Sequence, residues 1–184
     1  MKFKNVVISS FAYHLPEQIM SSAEIEERLA PLYQRLKLPI GRIELMTGIR
    51  ERRFWPPGTM PSDLSTQAAR NLFEKNVIKP DSIDLLIHAS VCRDFLEPST
   101  SSIVHHNLGL RTEILFFDLS NACLGMMSSF VVAANMIENG SIKHALIVSG
   151  ENGGPLLFQT MSALFYSRDC VCFSNRVCSM DCEP

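Results

Sequence analysis

EILFFDLSNACLGMMSSFVVAANMIE, residues 113–138, joins a short apolar run, a small polar turn and a long apolar stretch of helical length. Glu113–Leu119 reads as a strand and Ala122–Glu138 as a helix, closed by the stop signal Asn139-Gly140. A strand that enters a helix through so short a turn is the building unit of an α/β fold. The helix is apolar on every side, which predicts a place between layers. The uncharged stretch Leu119–Ile137 approaches bilayer length, but Ser120, Asn121, Ser128, Ser129 and Asn135 within it favour a buried helix over a membrane span.

Outward from this unit the alternation continues. Ile83–Ser90 (IDLLIHAS) and His144–Ser149 (HALIVS) read as strands, as does Asn5–Phe11. Helices are expected over 22–38, 62–76 and 99–108. The first has Ser22 as its cap and Glu24, Glu26 and Glu27 in its early turns, is interrupted at Pro31 and ends at Pro39-Ile40-Gly41. The second is capped by Ser62 or Asp63 and turns Leu64, Ala68, Leu72 and Phe73 inward. Arg42–Arg53 reads as a charged connection, and Pro56-Pro57-Gly58 with Pro61 as a loop. Past Pro155 the pattern fades: Leu156–Tyr166 suits a helix, whereas Ser167–Pro184 follows neither period. These signals predict an α/β fold with a mostly parallel sheet, covered on both faces, over 1–157, and a separate cysteine-rich tail over 158–184.

Composition narrows the function. The 184 residues are 46% hydrophobic and 20% charged with a net charge of −2, a globular balance that gives no electrostatic case for nucleic acid or an anionic membrane. No secretory signal precedes Ser9-Ser10, so a reducing, cytoplasmic setting is expected and the six cysteines are not a disulfide framework. Cys170, Cys172, Cys178 and Cys182 crowd the tail at a spacing that fits no standard metal knuckle. No metal site is assigned to them; an altered reading frame or splice explains the tail better.

Cys123 is the leading chemical candidate. At the mouth of a helix the unpaired first-turn amides and the macrodipole favour a thiolate, and Gly125 leaves room for a substrate to approach the backbone. On spacing alone the residue is either an activated nucleophile or an inert buried cysteine.

Several segments together resemble one family. They are Thr47-Gly-Ile-Arg-Glu-Arg52, Ile83–Ser90, Glu97-Pro-Ser99, Leu108-Gly-Leu110, Phe117-Asp-Leu-Ser-Asn-Ala-Cys-Leu-Gly125 and Ala145-Leu-Ile-Val-Ser-Gly-Glu-Asn152. In that order they resemble the N-terminal half of a thiolase-fold condensing enzyme of the 3-oxoacyl-[acyl-carrier-protein] synthase III type. Val91-Cys-Arg-Asp94 and Leu96-Glu-Pro98 are most similar to the olefin-forming branch, which joins two acyl thioesters head to head.

The resemblance implies an acyltransferase that makes 3-oxoacyl products by Claisen condensation through an acyl group on Cys123. Acyl-CoA or an acyl-carrier protein is the implied donor, with no cofactor, in a homodimer whose twofold lies near the Glu97 loop and strand His144–Ser149. It implies Asn121 and Gly125 beside the substrate and, from the olefin branch, a glutamate 26 residues before the nucleophile, the place of Glu97. Glu97 is then a base for the second chain's α-proton, or simply a carboxylate at a helix start. Where synthase III members carry a Trp and a nearby Arg against CoA, this sequence has Arg42 and Met46. Arg42 suits adenine stacking or a phosphate, or a solvated basic loop with Arg50, Arg52 and Arg53. The family's catalytic His and Asn lie in a C-terminal half that this sequence lacks; His14, His88, His105, His106 and His144 do not take their place. The chain is therefore expected to be incomplete and inactive alone. Other readings are a non-catalytic thiolase-like fragment acting through subunit contacts, and a cysteine-dependent thioesterase.

Overall fold

Leu85-Leu86-Ile87-His88 is at most 1% exposed along its whole length, and the larger part of the molecule is built around it. The computed structural model describes residues 2–154 and, as backbone, 176–182. The described residues form two units: the segments before Leu15 and after Pro57, and Leu15–Pro57.

In the larger unit five strands form one sheet in the order β1-β7-β6-β4-β5. They are β1 (Val6–Tyr13), β4 (Leu85–His88), β5 (Leu115–Asp118), β6 (His144–Val148) and β7 (Arg176–Cys182), where β2 and β3 belong to the smaller unit. β4 pairs parallel with β5 (His88 opposite Asp118) and with β6 (His88 opposite Val148). β7 runs antiparallel to both of its neighbours, β1 and β6. Four strands therefore share one direction. The aperiodic reading of 167–184 fails where it can be compared: the backbone of 176–182 extends between two strands whose edges supply its hydrogen-bonding partners. The helix expected over Leu156–Tyr166 lies outside the described residues, as do the side chains of the four tail cysteines.

The alternation of β4 divides the core. Leu86 packs with Ala68, Ala69 and Leu72 of α4 (Pro61–Phe73) and Val104 of α5 (Thr100–Leu108). Leu85, Ile87 and Ala89 pack on the other face with Ala133, Ala134 and Ile137 of α6 (Gly125–Glu138). The sheet is thus covered on both sides. One expectation for α6 changes: Leu124, Met127 and Val131 are 58%, 58% and 38% exposed, so the helix presents an apolar stripe outward. Its Met126, Phe130 and Met136 pack instead against the core. Strand β6, expected near a twofold partner, lies inside the sheet between β7 and β4; the free edges belong to β1 and β5.

Two caps differ from expectation. The first helix splits at Leu29 into α1 (Ser22–Arg28) and α2 (Ala30–Leu36), with Pro31 in the opening turn of α2. Its cap is Ser21, not Ser22, because Ser21-x-x-Glu24 forms a reciprocal capping box. α4 starts with Pro61 after Met60 and has no cap of its own; Asp94 accepts the Ser62 N–H at 2.9 Å instead of Ser62 or Asp63 capping it. In the smaller unit, the expected connection 42–53 contains α3 (Arg42–Thr47) and β3 (Glu51–Phe54), which pairs with β2 (Gln18–Ser21). Buried Glu26 orders it by accepting from Tyr33 Oη at 3.0 Å and from the Gly41 and Ile43 amides at 2.5 and 2.6 Å.

Gly150, just past β6, is where side-chain size is least negotiable. A methyl built there would overlap the Pro61 carbonyl oxygen and Ser65 Oγ. Gly150→Ala should cost about 1–3 kcal/mol, read as a lower urea midpoint with an unchanged slope; a midpoint equal to the parent's contradicts this packing.

Candidate active site

The C-terminal ends of β4, β5 and β6 face the N-terminal ends of α4 and α5, so unpaired helix amides gather at one edge of the sheet. Two carboxylates meet them. Asp118, at the end of β5, accepts from Thr100 N–H at 2.8 Å and Ser101 N–H at 2.7 Å. Asp94 holds α4 through Ser62, and its own N–H donates to Thr100 Oγ1 at 3.2 Å. A third, Glu151, accepts from the Val91 and Cys92 amides at 2.8 and 3.3 Å.

His88 sits among these groups. It is 1% exposed, its Nδ1 lies 3.9 Å from Asp118 Oδ1, and its Nε2 is buried without a hydrogen-bond partner. Burial pulls its pKa below the ordinary imidazole value, against the opposing charges of Asp118, Glu151 and Asp94.

Cys123 stands in the turn between β5 and α6, and it is exposed, which removes the inert buried reading. The helix starts at Gly125 rather than Ala122, so Cys123 precedes its cap residue Leu124. The turn is closed by Leu124 N–H to Asn121 O at 2.9 Å and Gly125 N–H to Ala122 O at 3.2 Å. Ala122 takes φ +43°, a left-handed conformation that costs a residue with a Cβ about 1–2 kcal/mol. The Asn121 side chain is committed to this turn, donating from Nδ2 to Ser128 Oγ at 2.8 Å. Gly125 is buried, and a Cβ there would lie in ordinary contact with the backbone of Leu119 and Ala89.

Glu97 is exposed on the loop between β4 and α5, beside Phe95 and Leu96 at 53% and 84% exposure. Ser99 caps α5, accepting from Ser102 N–H at 3.3 Å. Asn121, Cys123 and Gly125 thus share one turn, and Glu97 lies on a loop tied to the same strand by Asp118. Arg42, exposed at the start of α3, belongs to the smaller unit. His105 and His144 are engaged with the carbonyls of Arg111 and Ser82. Cys92 is half-buried, and burial, with the neighbouring Glu151, pushes its thiol up to about 12. The Asp94–Asp118–Glu151 frame had no role assigned from sequence, although all three residues fall in segments that resemble the family.

A family model for FAE1/Type III polyketide synthase-like proteins matches residues 61–163. An acyl-CoA:acyl-CoA alkyltransferase of Shewanella oneidensis is 39% identical over 161 residues, covering 88% of this chain and 46% of that protein. A beta-ketoacyl-[acyl-carrier-protein] synthase III of Deinococcus radiodurans is 32% identical over 148 residues, covering 80% of this chain and 41% of that protein. The crystal structure of a variant of OleA from Xanthomonas campestris superposes with a TM-score of 0.87 at 34% identity, covering 99% of this chain and 60% of that one. The chain spans about half the length of the curated relatives it matches.

The neutral, buried His88 makes stability depend on pH. Its folded pKa is lowered, so the unfolded chain binds the proton more readily, and the contribution is present above the ordinary value of 6.5 and lost as pH falls below it. Stability should fall by up to about 1.4 kcal/mol per pH unit there from this group alone. Urea midpoints between pH 7.5 and 5 should show less of this loss in His88→Gln; an identical slope in both proteins contradicts a neutral His88.

Proposed function

The chain belongs to the thiolase-like family of condensing enzymes, and from that premise we propose that it carries the acyl-accepting turn of a Claisen condensation between acyl thioesters. The observation behind this reading is Cys123: an exposed thiol in a tight, left-handed turn immediately ahead of α6. The other described thiol, Cys92, is half-buried and held protonated, which suits it poorly to nucleophilic attack.

In the proposed first step Cys123 Sγ attacks the carbonyl carbon of an acyl-CoA or acyl-carrier-protein thioester. The carbon–sulfur bond to the carrier breaks, the carrier leaves as a thiol with the proton Cys123 gave up, and an acyl-cysteine remains. Backbone amides at the turn and the positive end of α6 stabilise the passing oxyanion. In the second step the α-carbon of another acyl thioester, its proton taken by Glu97, bonds to the acyl carbon and expels the Cys123 thiolate, leaving a 3-oxoacyl thioester. Arg42 is the proposed contact for the CoA nucleotide, and a cytoplasmic setting follows from that substrate. Since the chain spans about half of its relatives, it stops at the acyl-enzyme when alone.

The proposed assembly is a homodimer. β5 forms an edge of the sheet, and Leu115 and Phe116 on it are 54% and 39% exposed. Val91, Phe95 and Leu96 on the Glu97 loop add further exposed apolar surface. Apolar surface of this kind at a strand edge favours pairing with a second copy. Sedimentation should give a dimer at micromolar concentration that Phe116→Lys dissociates; a monomeric parent contradicts the assembly.

Incubation with a radiolabelled long-chain acyl-CoA should leave one acyl group on Cys123, located by mass spectrometry, and none on Cys123→Ala. No 3-oxoacyl product should form from the chain alone. Label on Cys92 with Cys123 clean would overturn the proposal.

A further inference from the structure

Asp118 belongs to no catalytic step proposed above, yet it bonds the start of α5, which follows the Glu97 loop, and ends the strand that leads into the Cys123 turn. It is the last residue of β5, and each of its two oxygens accepts one amide: Oδ2 that of Thr100 and Oδ1 that of Ser101. Thr100 follows Glu97 by three residues, and Cys123 follows Asp118 by five. The strand is pinned once more just beyond the carboxylate, where Leu119 N–H donates to His88 O at 2.9 Å. The chain then has only Ser120 before Asn121, whose carbonyl and side chain close the Cys123 turn on Leu124 and Ser128. So short a run leaves the turn little freedom to shift while Asp118 is held.

We propose that Asp118 is a positioning residue that keeps the Cys123 turn and the Glu97 loop in one fixed register. The inference rests on the acyl-cysteine reading above. A carboxylate suits the task because it presents acceptors only, one to each amide. An asparagine in the same place turns its NH2 toward one of the two backbone N–H groups and loses that hydrogen bond in either orientation. Misplacement of a nucleophile by about 1 Å can cost on the order of a hundredfold in rate.

The test measures acylation of Cys123 by a long-chain acyl-CoA over a range of concentrations. This separates the rate constant at saturation from the concentration giving half of it. Asp118→Asn is compared with Asp84→Asn. Asp84 is also a carboxylate on two backbone amides, those of Lys143 and His144 at 2.8 and 3.1 Å, but at the opposite edge of the sheet. Thr100→Pro approaches the same bond from the other side, at a helix position where proline is tolerated, and is read against Thr100→Val, which removes only the hydroxyl that accepts from Asp94 N–H.

Asp118→Asn and Thr100→Pro should slow acylation at saturation by about tenfold or more, with the half-saturating concentration within about twofold of the parent. Asp84→Asn should stay within about twofold in both quantities. Parent-like acylation by Asp118→Asn overturns the inference, as does equal slowing by Asp84→Asn, which would mark a loss of general stability. If Asp118→Asn does not fold, Thr100→Pro decides by the same criterion. A parent chain that is never acylated on Cys123 fails the acyl-cysteine reading itself, and this inference with it.

Discussion

The pair of hydrogen bonds that Asp118 accepts from the first amides of α5 is the constraint on which the candidate site depends. A parallel strand ends where its connecting helices begin, so their unpaired amides collect at one edge and need acceptors there. Asp118 and Asp94 meet that need for α5 and α4. The same two carboxylates thereby fix the 91–99 loop and the exit of β5. Packing and chemistry are joined here: the groups that complete the backbone hydrogen bonding also determine where Glu97 and Cys123 stand.

The cost of this arrangement falls on His88. A ring buried near two helix N-termini loses hydration, and burial outweighs the pull of three carboxylates to keep it neutral. The opposite end of the parallel strands shows the same principle. Asp84 takes the Lys143 and His144 amides and pairs with Arg111 at 3.0 Å; these contacts and the arginine charge offset its burial and hold its carboxyl below the usual range. Carboxylates thus take backbone amides at both ends of the parallel strands, Asp84 just before β4 and Asp118 at the end of β5, and the apolar side chains of β4 are buried on both faces. The outward apolar stripe of α6 and the bare edge of β5 are surfaces a longer protein or a second copy can bury.

Much of this was legible in the chain itself. A strand, a turn and a helix do follow one another over 113–138, because the apolar inner face of the helix, Ala133, Ala134 and Ile137, is buried on the sheet; the helix begins only at Gly125. What escaped was governed by tertiary contact. β3 and α3 carry charged residues whose order comes from pairing with β2 and from the Glu26 carboxylate, and no periodicity announces either. The cap of α4 comes from Asp94, 32 residues away in sequence. Strand β7 is specified by the edges of β1 and β6 between which it inserts. The face that α6 turns outward could not be read from a helix apolar all round.

The central claim is mechanical: one carboxylate ties two loops into a single unit. Hydrogen exchange measured by mass spectrometry tests this without any substrate. On replacing Asp118 with asparagine, the account predicts that amides in 94–101 and in 119–124 lose protection together, while those of β4 and β6 keep theirs. Faster exchange confined to 94–101, with 119–124 unchanged, would contradict it.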